Sequence, residues 1–332
     1  MACALGLTLA GPAAAAEPIP VAAREIRQNL FGTCFADARQ GWMVGELGRV
    51  FHTRDGGLTW ERQDAGTRHP LLAVACVDER TAWAAGKEGI VLGTTDGGAT
   101  WTHATTGSDR HLFTLAFPNA SRGHGAGDFG AMVHTEDGGR TWTASRVTDV
   151  QLPAEAVDSG VEPGDVNLYA LSYADADAAW MVGEFGTILA SGDGGRSWHQ
   201  QRSPVESTLF GVHFADRRRG WAVGADGVLI HTEDGGETWR TQPGAPSERA
   251  MFDVFVRGDT GFAVGDAGTV LRSRDAGATW QAEPIQIQLA ARWLRSVWLV
   301  DDSQGLAVGA EGLVFRLVGG RLERLAAAGE MR

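Results

Sequence analysis

The sequence is poor in cysteine, in tyrosine and in clustered positive charge. Of its 332 residues three are cysteine and two are tyrosine, and no basic tract exceeds Arg217-Arg218-Arg219. With a formal net charge of -12, this argues against nucleic-acid binding, which needs a basic face for phosphate contacts. No stretch reaches the ~20 consecutive apolar residues of a membrane-spanning helix. No amphipathic helix of useful length can be traced either. Cys3 sits too early in the N-terminal apolar stretch to be a lipid-modified residue, and the remaining Cys34 and Cys76 are too few for a disulfide framework.

The first residues, MACALGLTLAGPAAAAEPIP, carry no Lys or Arg, which leaves open a start upstream of Met1. Their apolar run, followed by Ala14-Ala15-Ala16 before Glu17, otherwise has the form of an export signal with a small-x-small cleavage site. Residues 1–16 are therefore expected to be a signal peptide, 17–28 an N-terminal segment, and 29–332 the folded body of a periplasmic or extracellular protein.

What the chain has in excess is glycine and tryptophan, 46 and 12 residues respectively, and they occur in repeated phrases. HTEDGGRTW (134–142) returns as HTEDGGETW (231–239), with cousins TRDGGLTW, TTDGGATW, SGDGGRSW and SRDAGATW. Their aspartates are Asp55, Asp96, Asp137, Asp193, Asp234 and Asp275. They end at Trp60, Trp101, Trp142, Trp198, Trp239 and Trp280, spaced by 41, 41, 56, 41 and 41 residues. Upstream of each stands a second phrase of the type GWAVGADG, with a seventh copy, GLAVGAEG, from Gly305. A period near 41 means stacked supersecondary units. Each unit reads as four short strands, as in LFGVHFAD, GWAVG, GVLIHT and TWRTQ of the fifth copy, separated by Gly- and Asp-rich turns. The expectation is an all-β fold, a seven-bladed β-propeller with four-stranded blades.

The phrase S/T-x-D-G-G-x-T/S-W is the Asp-box, between the third and fourth strands. Its carboxylate can accept backbone N–H groups of its own turn, its glycines permit positive φ, and its Trp packs between blades. Six copies around a ring cannot converge on one substrate, so the Asp-box is read as architecture. Cys34 and Cys76 are one position out of phase with the repeat and point to opposite faces of equivalent strands. They either bridge across a shared blade interface or lie apart as two small buried hydrophobes.

Asp-boxes preceded by GWAVG-x-x-G resemble the photosystem II stability/assembly factor propellers and their exported bacterial relatives; the likeness covers residues 29 to 317. It implies a non-catalytic scaffold that binds a protein partner, a membrane or envelope subunit, and helps it assemble. The chain itself is expected to be monomeric and not membrane-spanning. The alternative is a sialidase-like glycan hydrolase or glycan-binding protein, which shares Asp-boxes. Such enzymes need a tyrosine nucleophile, a partnering Glu and three arginines, whereas Tyr169 and Tyr173 both fall on the first strand of blade four and no Arg-Ile-Pro-like motif occurs near the first blade. No cofactor or metal is expected. His52, His134 and His231 occupy equivalent third-strand positions spread around the disc, and His103, His111, His124, His199 and His213 show no ligand spacing.

Two features break from pure architecture. The turn after AVG carries a carboxylate in every blade: Glu46, Glu88, Asp128, Glu184, Asp226, Asp266 and Glu311. Alternating hairpins place all of them on one face, opposite the Asp-boxes, as a candidate site for a basic partner. The 56-residue step adds 15 residues within 144–166, on the same face, including Asp149, Glu155, Asp158, Glu162 and Asp165. That insertion is read either as a functional loop or as a mobile one. Arg39, Arg80, Arg122, Arg217, Arg218 and Arg219, in the first hairpin turns, form a candidate basic counterpart on the other face.

Overall fold

The computed structural model describes residues 19–22, 25–242, 247–285 and 292–325. The expected signal peptide, residues 1–16, lies outside the described residues. The chain forms seven antiparallel sheets in chain order, each a blade of a closed propeller. The innermost strands are Leu30–Phe35, Leu71–Cys76, Leu112–Ala116, Leu168–Tyr173, Leu209–Phe214, Met251–Arg257 and Leu294–Leu299. Each lies against its neighbours around the axis. The second strands, such as Gly41–Gly45 and Gly220–Gly224, are buried at every residue. They are sandwiched between adjacent blades, which is why they read as unbroken runs of small and apolar residues. The outermost strands, such as Thr102–His103 and Arg240–Thr241, are short and exposed.

The pairing of innermost and second strands slips at one place in all seven blades, skipping Phe31, Leu72, Phe113, Tyr169, Phe210, Phe252 and Arg295. A bulge there re-aims the side chain and sharpens the twist. The skipped residues meet around one end of the axis: Phe113 and Tyr169 lie 5.3 Å apart, Tyr169 and Phe210 5.2 Å, Phe210 and Phe252 5.7 Å between ring centroids.

Every blade is built from one continuous run, so the ring closes without exchanging a strand. The seam is a shared core. Ile26, Leu30, Phe35, Met43, Phe51 and Trp60 from the first blade's side pack on Leu306, Val308 and Val314 of the last. The Glu311 amide donates to Asn29 Oδ1 at 2.8 Å, and the Gln304 side-chain amide donates to the Ala38 carbonyl. The N-terminal segment contributes an unforeseen strand, Ile19–Val21, which pairs with Trp60–Asp64 and gives the first blade a fifth strand. It covers an edge that would otherwise be open to pairing with another chain.

The Asp-rich turns have the expected construction. In the first, Asp55 Oδ1 accepts the amides of Leu58 and Thr59 at 3.0 and 2.9 Å and the Thr53 hydroxyl at 2.9 Å. Gly56 and Gly57 take φ of +74° and +87°. Ala276 holds the same left-handed conformation, φ +57°, in the DAG version of the sixth blade. The backbone amide and hydroxyl of Thr141 hold the Asp137 carboxyl down to about 2. Each Trp packs at the interface with the preceding blade: Trp60 on the last, Trp142 on the second, Trp239 on the fourth and Trp280 on the fifth.

Cys34 and Cys76 form a disulfide with a Cα–Cα distance of 5.8 Å, joining the innermost strands of the first two blades. The phase offset by one residue is what makes this possible. A residue on one strand that faces the next blade meets the residue one position later on that blade, which faces back. The insertion is ordered by packing. Val150, Ala156 and Val166 are buried in the core between the third and fourth blades. A short helix, Ala154–Asp158, carries Ala156. Gln151 exchanges two hydrogen bonds with the Gln200 side chain, at 2.6 and 3.0 Å. Arg146 ties Gly164 O and Asp165 Oδ1, both at 2.6 Å.

Candidate functional site

The turns between second and third strands all project from one face. In each, the amide of the residue after the AVG-type glycine donates to the carbonyl just before its own innermost strand, as Glu46 N does to Asn29 O at 3.0 Å. The next residue is left-handed in every blade: Leu47, Glu88, Phe129, Phe185, Asp226, Ala267 and Glu311, with φ between 49° and 59°. The glycine that follows, for instance Gly89, cannot be replaced, since a Cβ there would stand 2.0 Å from Ser108 O.

This frame sorts the turn carboxylates into two positions. The seven turn carboxylates share a face but are not seven equivalents. Glu46, Asp128, Glu184 and Asp266 occupy the first turn position, and Glu88, Asp226 and Glu311 the left-handed second one. First-position carboxylates are partly consumed by the fold. Glu46 accepts the Asn29 amide and side chain at 3.3 and 2.8 Å. Glu184 does the same for Asn167, at 2.9 and 3.0 Å, and also accepts the Tyr169 hydroxyl at 3.3 Å. Asp128 has one buried carboxylate oxygen with no partner among the described residues. Asp266 is half-buried and lies 3.9 Å from Arg249. The second-position carboxylates project: Glu88 and Glu311 side chains are 67% and 62% exposed, near His69 and Arg292. Asp226 is exposed too and, among the described residues, accepts only a long 3.4 Å bond from Ser207. The insertion abuts this face, where Arg146 also donates to the Phe129 carbonyl at 2.7 Å.

On the opposite face the arginines are largely spent on the fold. Arg39 donates to the Arg54 carbonyl at 3.3 Å, and Arg218 to the Glu233 carbonyl at 3.1 Å. Arg122 reaches Ala176 O at 2.7 Å and Glu136 at 3.4 Å; Arg217 pairs with Asp175; Arg219 binds Asp216 at 2.8 Å. Arg80 keeps its guanidinium unpaired among the described residues.

Tyr173 bonds His124 Nδ1 at 2.7 Å, and burial raises the pKa of both Tyr169 and Tyr173, so each phenol stays protonated. Groups of His, Cys, Asp and Glu able to hold a metal ion are absent among the described residues, and no helix there is long and apolar enough to cross a membrane. Burial drives His52, His124 and His213 down to about 4, so all three are neutral at pH 7. An unfolded chain protonates them near 6.5, so the stability they allow is intact above that value and is lost as pH falls toward 4. Asp253, pushed up to about 6 by burial, works in the other direction but is outnumbered. The melting temperature should fall between about pH 6.5 and 4, and a flat profile over that range counts against burial of the imidazoles.

No curated protein matches the sequence. Among solved structures, YCF48 bound to D1 peptide superposes with a TM-score of 0.70 at 21% identity, over 91% of this chain and 96% of that one. YCF48 from Cyanidioschyzon merolae gives 0.71 at 21% identity, covering 91% and 98%. The GH74 xyloglucanase from Xanthomonas campestris gives 0.68 at 14% identity, with 90% of this chain on 53% of the enzyme. The family described as photosynthesis system II assembly factor YCF48 matches residues 12–145 and 196–290, leaving out mainly the insertion, the fourth blade's inner strands and the last blade. The chain belongs to the YCF48 assembly-factor family.

Proposed function

We propose that this protein is an exported, non-catalytic scaffold that binds a protein and assists the assembly or stability of a membrane or envelope complex. The observation that carries this reading is family membership, together with the solved YCF48 that holds a D1 peptide. Export is supported by the apolar N-terminal run and by the Cys34–Cys76 disulfide, since such bonds persist in oxidising compartments. The working face is that of the turn carboxylates, and within it the side chains most open to a basic partner are Glu88, Asp226, Asp266 and Glu311, the last already paired with Arg292 at 2.7 Å.

The test is retention of a discrete membrane protein from detergent-solubilised envelope extract. Reversing Glu88, Asp226, Asp266 and Glu311 to Lys should reduce retention about tenfold and leave the melting curve in place, because these side chains lie outside the core. Raising ionic strength toward about 1 M, where screening acts over about 3 Å, should do the same to the wild type. Retention untouched by both changes moves the site off this face. Turnover of fluorogenic glycosides would overturn the non-catalytic reading.

A further inference from the structure

The innermost strands depart from sevenfold symmetry at one level. The residues paired with the second position of the neighbouring strand are small in blades one to four, Cys34, Ala75, Ala116 and Ser172. In blades five to seven they are rings, His213, Phe255 and Trp298. The His213 and Phe255 rings stack at 4.0 Å between centroids, and Trp298 continues the wall 4.9 Å from Phe255. His213, Phe255 and Trp298 thus stand across the axis from Ala75, Ala116 and Ser172, while Cys34 is fully buried in its disulfide. Between them lies a cavity of ≈ 490 Å³, within the range of small-ligand sites. It reaches the ends of the innermost strands at Ala174, Ala215 and Gly258, so it opens on the Asp-box face.

Deeper in the cavity the fifth and sixth blades approach each other closely. A Cβ added to Gly211 would stand 2.8 Å from Asp253 Cα. At that level Asp253 lines the cavity. Its oxygens accept the amides of Val254 and Val297, both at 2.9 Å, and retain lone pairs for a further donor. His213 Nε2 donates to the Val256 carbonyl at 2.8 Å, so in the neutral ring Nδ1 is an acceptor, with no partner among the described residues. The interior therefore offers acceptors beside an aromatic wall. Three guanidinium groups lie nearby: Arg295, which donates to the Phe252 carbonyl at 3.1 Å and attracts the Asp253 carboxylate, Arg257, on Val300 O at 2.8 Å and 5.8 Å from the Phe255 ring centroid, and Arg219, on Asp216.

We propose that this axial cavity binds a planar group rich in N–H donors, an amidinium or guanidinium on an apolar body, packed against the half-buried Trp298 and the ring edges of His213 and Phe255 and hydrogen-bonded to Asp253. The paired donors of such a group match a carboxylate in geometry and charge. A ligand of this kind is favoured as Asp253 loses its proton; the charged group acting on that carboxylate is Arg295, and its hydrogen-bond donors are the Val254 and Val297 amides and the Ser296 side chain. The site is on the face opposite the proposed partner surface and does not depend on that reading.

Benzamidine is the probe, followed by tryptophan fluorescence and by the amide resonances of Val254 and Val297. Saturable binding is expected, tightening between about pH 5 and 7 as the carboxylate ionises. Asp253→Asn should weaken it about tenfold or more. Ala116→Leu, which narrows the slot from the small-residue wall, should weaken it as well without touching Asp253. Benzoate, the same flat ring with acceptors in place of donors, should not compete. Benzoate binding as tightly, an absence of saturable benzamidine binding, or affinity unmoved by Ala116→Leu overturns the proposal. The two wild-type titrations decide the matter if Asp253→Asn fails to fold.

Discussion

Trp60→Ala should cost about 3–5 kcal/mol, read as a lowered midpoint of denaturant unfolding, because the large-to-small change leaves a cavity where the ring has nothing else to close it. Trp60 is fully buried at the seam between the last blade and the first, on the strand that also carries Ile19–Val21. Its indole N–H donates to Gly57 O at 3.1 Å, so the same residue ties its turn to the interface. Loss there weakens the one junction that no covalent continuity supports. The six Asp-box tryptophans are not interchangeable, however. Trp101 and Trp198 are only half-buried, and Trp198→Ala should cost distinctly less. Equal effects at Trp60 and Trp198 would mean that the seam is no more critical than any other interface.

Removing the disulfide is the second large effect. The bond closes a 42-residue loop, for which chain-entropy arguments give about 4 kcal/mol. The double change Cys34→Ala and Cys76→Ala should lower stability by about 2–4 kcal/mol, since some of the entropic gain is usually lost to residual structure in the unfolded chain. Alanine suits the test because Cys34 is fully buried, and serine in its place would put a hydroxyl in apolar surroundings. Thiol titration of the native protein should find Cys34 and Cys76 unreactive until reductant is added. A double variant as stable as the wild type would show that blade-to-blade packing holds the first two innermost strands unaided.

The repeat was legible because one construction is used over and over. An Asp that accepts its own turn's amides, two positive-φ positions and a Trp five residues after the Asp leave the same mark wherever they occur. Four-stranded blades, their number, and the shared face of the turn carboxylates followed from it. The inequivalence of those carboxylates was also written in the sequence, in the G-x-x-G frame: Glu46 follows its glycine directly, whereas Glu88 stands one residue further, behind Lys87. The strand Ile19–Val21 left no such mark, being three residues with a central proline and pairing outside the repeat. The packing of the insertion rests on Val150, Ala156 and Val166, too few and too irregularly spaced to signal a buried face. Whether Cys34 meets Cys76 depended on how adjacent blades face one another, a relation between repeats that periodicity within them cannot express. The axial wall was open to inspection by aligning the innermost strands, where His213, Phe255 and Trp298 stand out against small residues.

Because each blade is a single uninterrupted segment, the architecture imposes little waiting on a growing or threading chain. A blade can complete its ladder once its own residues, 41 in most repeats, are free of whatever tunnel or pore delivers them. It then offers its bare second strand as a template for the next. Assembly can run as a procession in which every stage is a slightly longer arc of the finished disc. The last act is a meeting of two completed surfaces, Leu306, Val308 and Val314 against Trp60 and its neighbours. The same modularity makes the loops between blades natural places to cut and rejoin the chain. New termini placed there would leave every ladder whole and require only that the old ends be joined.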